Sequence, residues 1–178
     1  MDLGEWSRLP EPQPLSDEQR TVFETDILGI GLDTCETLFQ RLGEMPGGLL
    51  VIVSAKGARI IRVPMPQDFA VRTAVAETCR NLILADHATA YLFAFEFWLR
   101  TGSAEDLKKP QPNYADLPDS KEGVMICGQT SEGSFGSAFD IVRSRRGAFK
   151  KLRPHDHVGG YMQFTGIWTD LLYRQQAS

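Results

Sequence analysis

The chain has 178 residues, of which 42% are hydrophobic, and its 19 Lys and Arg against 23 Asp and Glu give a formal net charge of −4. That length fits one domain at roughly 100–200 residues each, and the apolar content excludes a wholly disordered or fibrous chain. The acidic balance excludes global attraction to nucleic acid or anionic lipid, so such partners would have to be held by a local patch.

The first 20 residues carry Asp2, Glu5, Glu11, Asp17 and Glu18 and no apolar run. No secretory signal is expected there, and no stretch approaches the ~18–20 apolar residues of a membrane helix. The expectation is a cytoplasmic protein with no membrane partner. Cys35, Cys79 and Cys127 are odd in number and widely spaced, without a C-x-x-C pair. They read as small buried apolar residues and not as a disulfide framework.

In chain order, Pro10, Pro12 and Pro14 deny helix and predict an extended arm over residues 1–15, with Trp6 and Leu9 as its candidate pins. Ser16 with Gln19 is a capping-box pattern, and Phe23, Ile27 and Ile30 follow at helical spacing. Asp33 and Glu36 repeat that pattern, so the region to Gly43 is one bent helix or two short ones. Met45-Pro46-Gly47-Gly48 is a turn. The aliphatic run Leu49 to Val53 and the β-branched run Arg59 to Val63 then predict a hairpin, with Gly57 supplying the positive φ its connection needs. Asp68 caps a helix to about Ala85 whose stripe is Val71, Val75, Cys79 and Leu82.

From Ala88 to Leu99 the period becomes two. Tyr91, Phe93, Phe95, Phe97 and Leu99 fall on one face, and Leu92, Ala94, Glu96 and Trp98 on the other, as in a central strand. Residues 101–121, with Pro110, Pro112 and Pro118, form a long loop or an added lobe. Val124 to Cys127 and Ala138 to Val142 predict a second hairpin in which Gly128 to Ser137 is a mobile tip. Tyr161 to Trp168 fits a strand passing into a short terminal helix, although Tyr161, Phe164, Trp168 and Leu171 also count as helical. The fold class expected is α+β: a mixed or antiparallel sheet of about five to six strands with two main helices, in a single domain over 16–178.

The run Tyr91-Leu92-Phe93 to Trp98, then Glu122-Gly123-Val124-Met125-Ile126 and Ile141-Val142-Arg143, resembles a group of short proteins from bacterial, plasmid and phage genomes that has no assigned activity. The resemblance covers about residues 48–168. It implies an accessory protein of mobile DNA and supplies no catalytic residues.

Two constellations are candidates for chemistry. His155-Asp156-His157 places two imidazoles on one side of an extended segment with a carboxylate between them, which would suit a metal-dependent hydrolase; the alternative is a polar turn without metal. Arg143, Arg145, Arg146, Lys150, Lys151 and Arg153 put six cations in 11 residues, with Phe149 among them as a stacking surface. Clustered guanidinium and ammonium groups dock on phosphates or on an acidic protein surface; the alternative is a solvated strand end. Gly128 to Gly136 lacks the Lys and the following helix of a phosphate loop, and Cys127 with His155 or His157 matches a catalytic pair in residue type alone.

No residue is assigned a catalytic, metal-ligating or cofactor-binding role. The function expected is non-enzymatic binding to a protein partner, as an accessory or host-defence-modulating factor of a phage or mobile element. Nucleic acid is the alternative partner and a homo-oligomer is compatible with the aromatic surplus, which offers interface-type side chains.

Overall fold

The computed structural model describes residues 10–45, 47–66, 68–99 and 121–155. They form helices α1 (Asp17–Thr25), α2 (Ile27–Leu42) and α3 (Phe69–Ala85), and strands β1 (Gly48–Ser54), β2 (Gly57–Val63), β3 (Ala90–Leu99), β4 (Lys121–Thr130), β5 (Gly133–Arg143) and β6 (Phe149–Pro154). The strands make one antiparallel sheet in the order β2-β1-β3-β4-β5-β6. The class is α+β, as expected. No helix among the described residues is long and apolar enough to cross a membrane.

Helices cover both faces of the sheet. On the first face, Ile27, Cys35 and Phe39 of α2 pack on Val51, Leu92, Ala94, Val124, Ile126 and Leu152. On the second, Val75, Cys79 and Ile83 of α3 pack on Leu50, Ile52, Ile61, Tyr91 and Phe93. The alternation read for β3 is therefore real: Tyr91 and Phe93 face α3 while Leu92 and Ala94 face α2. Burial on both faces explains why β1 is a continuous aliphatic run, because neither face can be polar. Each such aliphatic side chain contributes roughly 1.5–3 kcal/mol.

Local chemistry sets the helix ends. At α1 both arms of the capping box form, with Gln19 N donating to Ser16 Oγ at 3.1 Å and Ser16 N donating to Gln19 Oε1 at 2.9 Å. The region to Gly43 is two helices, broken at Asp26, whose carboxylate accepts from Gly29 N at 3.2 Å. Asp33 and Glu36 are thus interior residues of α2 and not a second cap. A Cβ on Gly31 would sit 2.4 Å from Leu92 Cδ1, so the glycine lets α2 lie close on the sheet.

Three further expectations are corrected. Val71 is exposed, and the buried stripe of α3 is Val75, Ala76, Cys79 and Ile83, with Leu82 half-buried at its margin. Gly128 to Ser137 is not a mobile tip: β4 and β5 pair continuously up to Thr130 opposite Gly133, leaving a two-residue turn at Ser131 and Glu132. The third is β6 itself, a strand in the middle of the basic stretch. The loop expected at 101–121 lies outside the described residues except for Lys121, as does the strand and helix expected from Tyr161 onward.

Candidate functional site

The basic stretch closes the sheet. A bulge between Val142 and Arg143 sets Val142 opposite Lys151 but Arg143 opposite Phe149, so Lys150 is the extra residue. The bulge places Phe149 and Leu152, three apart, on the same face, where Phe149 stacks on Phe39 of α2 with ring centroids 5.2 Å apart. Phe149 is therefore part of the core margin and is not the stacking platform the sequence suggested.

The six cations divide into two groups. Arg143 is structural: its Nε and Nη2 donate to Glu122 at 2.7 and 2.6 Å, and its Nη1 donates to the Gly43 carbonyl at 3.0 Å. The fork ties β5 to β4 and to the end of α2, and the Glu122 hydrogen bonds push the guanidinium pKa further up. Arg153 donates to Asp140 at 3.0 Å, although about half of its side chain stays in solvent.

Arg145, Arg146, Lys150 and Lys151 make the second group. All four are exposed, and no described carboxylate pairs with them. The turn that carries the two arginines is well ordered by hydrogen bonds. Ser144 Oγ accepts from Arg146 N at 3.2 Å and Ala148 N at 3.1 Å, Ser144 N donates to the Ala148 carbonyl at 2.7 Å, and Gly147 adopts φ 80°. Ser-x-x-Gly is turn chemistry: a hydroxyl that satisfies local amides, then a residue able to take positive φ. The result is a compact positive projection held by the Ser144 hydroxyl and by main-chain bonds, and not by the side chains of its cations.

Beyond β6, His155 Nδ1 lies 2.5 Å from Asp140 Oδ1. An ionised carboxylate can only accept, so Nδ1 carries the proton. Burial would raise the Asp140 carboxyl, but the hydrogen bonds from His155 and Arg153 outweigh it and hold its pKa below the usual carboxylate value. Asp156 and His157 lie outside the described residues, and among the described residues no cluster of three or more His, Cys, Asp or Glu could hold a metal.

The thiols are buried as expected. Burial pushes Cys35, Cys79 and Cys127 up to about 12, which keeps them protonated and unreactive at neutral pH. Glu96 is the half-buried acid expected on β3. It accepts from Met45 N, and burial, aided by Glu122 and Glu44, pushes its pKa up against that hydrogen bond and the Arg143 charge.

The aromatic surplus goes mostly inside. Phe39, Tyr91, Phe93 and Phe139 are buried, and Trp98 is the one strongly exposed large aromatic among the described residues, while Trp6 and Trp168 lie outside them. Sequence reasoning missed the partners that sort the cations, Glu122 and Asp140, because nothing in their local spacing distinguishes them. The strand pairing brings Glu122 and Arg143, 21 residues apart, together. No protein-family model matches the chain, nor does any curated protein or solved structure.

Proposed function

We propose that the protein is a non-enzymatic binding module whose β5–β6 turn docks on an acidic surface of a protein partner. The observation that carries this reading is the set Arg145, Arg146, Lys150 and Lys151, exposed and without an ion-pair partner among the described residues, on the turn and the start of β6, the turn being fixed by the Ser144 hydroxyl and main-chain bonds. A prearranged cluster of cations speeds and orients encounter with negative charge, and its turn loses little conformational freedom on binding. Arg143 and Arg153 are already paired with Glu122 and Asp140 and are left out of the docking set.

A protein is favoured over a nucleic acid for two reasons. The net charge of −4 gives the molecule no overall attraction to a polyanion, and Phe149, the aromatic that would stack on a base, is committed to Phe39. The resemblance to short proteins of plasmid and phage genomes makes an accessory role in mobile DNA the setting we favour.

The test is a triple reversal, Arg145→Glu, Arg146→Glu and Lys150→Glu, compared with wild type for capture of partners from host lysate and for binding to duplex DNA across a salt series. Saturable capture of one acidic protein that is lost in the variant and weakened by salt is the expected result. A linear fall of log DNA affinity with log salt, shallower in the variant, would replace the protein by a nucleic acid. Binding indifferent to reversal and to salt would reduce the turn to a solvated loop.

A further inference from the structure

We infer that the docking turn shares its end of the sheet with an open apolar seam, and that the two together take a protein segment carrying a large apolar side chain beside its acidic residues. The inference rests on the reading of the turn proposed above and names what else the partner must present. It starts from strand pairing. Leu99 of β3 pairs with Lys121 of β4, Gly123 with Asp140 of β5, and Arg143 with Phe149 of β6, so the end of β3 and the β5–β6 turn lie at one end of the sheet. Helix α2 ends there too, since the Gly43 carbonyl accepts from Arg143 and Met45 N donates to Glu96.

Two large apolar side chains are left uncovered at this end. Leu42 follows Cys35 by seven residues, two helical turns, and so continues the face that α2 lays on the sheet, yet it is 57% exposed. Trp98 continues the row Leu92, Ala94 and Glu96 on the α2 side of β3 and is 41% exposed. The helix stops short: Gly43 takes φ 79° and turns the chain away, while β3 runs on to Leu99. Both side chains border the same guanidinium. Trp98 lies opposite Glu122, which accepts from Arg143 Nε and Nη2, and Leu42 precedes Gly43, whose carbonyl accepts from Arg143 Nη1. Arg143 therefore joins the seam to the turn, and Arg145 follows it within about 7 Å of chain.

The charges around the seam orient the partner. Glu122 is held by Arg143 and Glu96 accepts from Met45 N, whereas Arg145, Arg146, Lys150 and Lys151 have no carboxylate partner among the described residues. Glu44, just past α2, is exposed and repels acids from that side. The partner's carboxylates thus go to the turn and its apolar side chain goes to Leu42 and Trp98. Cations alone give a fast, salt-sensitive encounter; an aliphatic and an aromatic side chain desolvated beside them supply the lasting contact.

Two fluorescein-labelled peptides test this on the full-length chain: a glutamate-rich peptide with a leucine pair at its centre, and the same peptide with serines in place of the leucines. The leucine peptide should bind at least about tenfold tighter. Leu42→Ser and Trp98→Thr should each remove most of that preference without changing the affinity for the serine peptide; Leu42→Ser, at an exposed helix end, leaves the strands untouched. The emission that Trp98→Thr removes should be quenched by acrylamide in the free protein and shielded by the leucine peptide. Arg145→Glu, Arg146→Glu and Lys150→Glu together should weaken both peptides. Equal binding of the two peptides, with both lost in the triple reversal, would overturn the seam and leave the acidic docking turn standing. A leucine preference that survives Leu42→Ser and Trp98→Thr would overturn it as well. Binding of either peptide that ignores the triple reversal would remove the docking turn, and this inference with it. A Trp98 already shielded in the free protein, or a dimer that Leu42→Ser returns to 19.9 kDa, would give the seam to this chain or to a second copy and overturn the inference.

Discussion

The two edges of the sheet solve one problem in different ways. At β6 the exposed main chain is blunted by what lies beside it: Glu36 of α2 accepts from Leu152 N at 2.8 Å, and Pro154 has no N–H to offer. At β2 the blunting comes from a separate segment, the arm, which among the described residues is joined by a bridge at Ala58 and a side-chain hydrogen bond from Arg59. An edge closed by a packed helix opens only if the core does. An edge closed by an arm can open while the sheet remains intact.

The largest expected effect is at the β2 end. Arg59 pairs with Asp86 through two hydrogen bonds of 2.6 and 2.9 Å, both side chains being nearly buried. Arg59→Ala leaves Asp86 charged and unpaired and releases Pro10, so unfolding by denaturant should show a loss of about 3 kcal/mol. A loss shared equally by Asp86→Ala, with most of it recovered when both positions become apolar, would assign the effect to the pair rather than to the arm.

At the β6 end, Glu36→Ala should cost about 1–2 kcal/mol, because the Leu152 amide loses a charged acceptor in a partly buried position. Glu36→Gln keeps an acceptor and should recover much of it. Hydrogen exchange at Leu152 should rise in the alanine variant with no change at Ala58, since the two edges lie at opposite ends of the sheet. Coupled changes would break the contrast between them.

Two carboxylates should give opposite pH dependences. Asp140, beside β6, has a depressed pKa when folded. The stability it contributes is present above its unfolded value near 3.9 and is lost as pH falls through the lower folded value. Asp140→Asn should therefore flatten the acid limb of Tm against pH. Glu96 has a raised pKa when folded, so stability rises as pH falls through that value toward its unfolded value near 4.3. Glu96→Gln, which retains an acceptor for Met45 N, should raise Tm at neutral pH.

The smallest effect belongs to the proposed docking turn. Reversing Arg145, Arg146 or Lys150 should alter stability by no more than about 0.5 kcal/mol each, since the side chains are exposed and hold nothing in place. A larger loss would mean that the turn supports the β6 edge and is not reserved for a partner.

Much of the fold was legible because its signals are local. Ser16 with Gln19, Gly57 in the first hairpin, and the alternation from Tyr91 to Trp98 each rest on neighbours in sequence. Strand β6 was hidden because the bulge at Lys150 breaks the period of two, placing Phe149 and Leu152 on one face at a spacing of three. The Gly- and Ser-rich stretch misled in the other direction: composition suggested a loose tip, while pairing with a strand already registered at Cys127 and Gly128 drew it into the ladder. At the candidate site the sequence located the cations but not their division.

The sequence by itself determined the class of fold, the identity of the central strands, the cap of the first helix and the burial of the three cysteines. These follow from hydrophobic period, turn chemistry and residue type, which act over a few positions. Tertiary structure alone decided where α2 begins, which face of α3 is buried, and that Arg143 and Arg153 are held by Glu122 and Asp140 while Arg145, Arg146, Lys150 and Lys151 are left to solvent. It also decided that the proline-rich arm meets the β2 edge at Ala58. Each of these depends on which strands lie side by side, and that is set by the balance of burial and hydrogen bonding over the whole sheet.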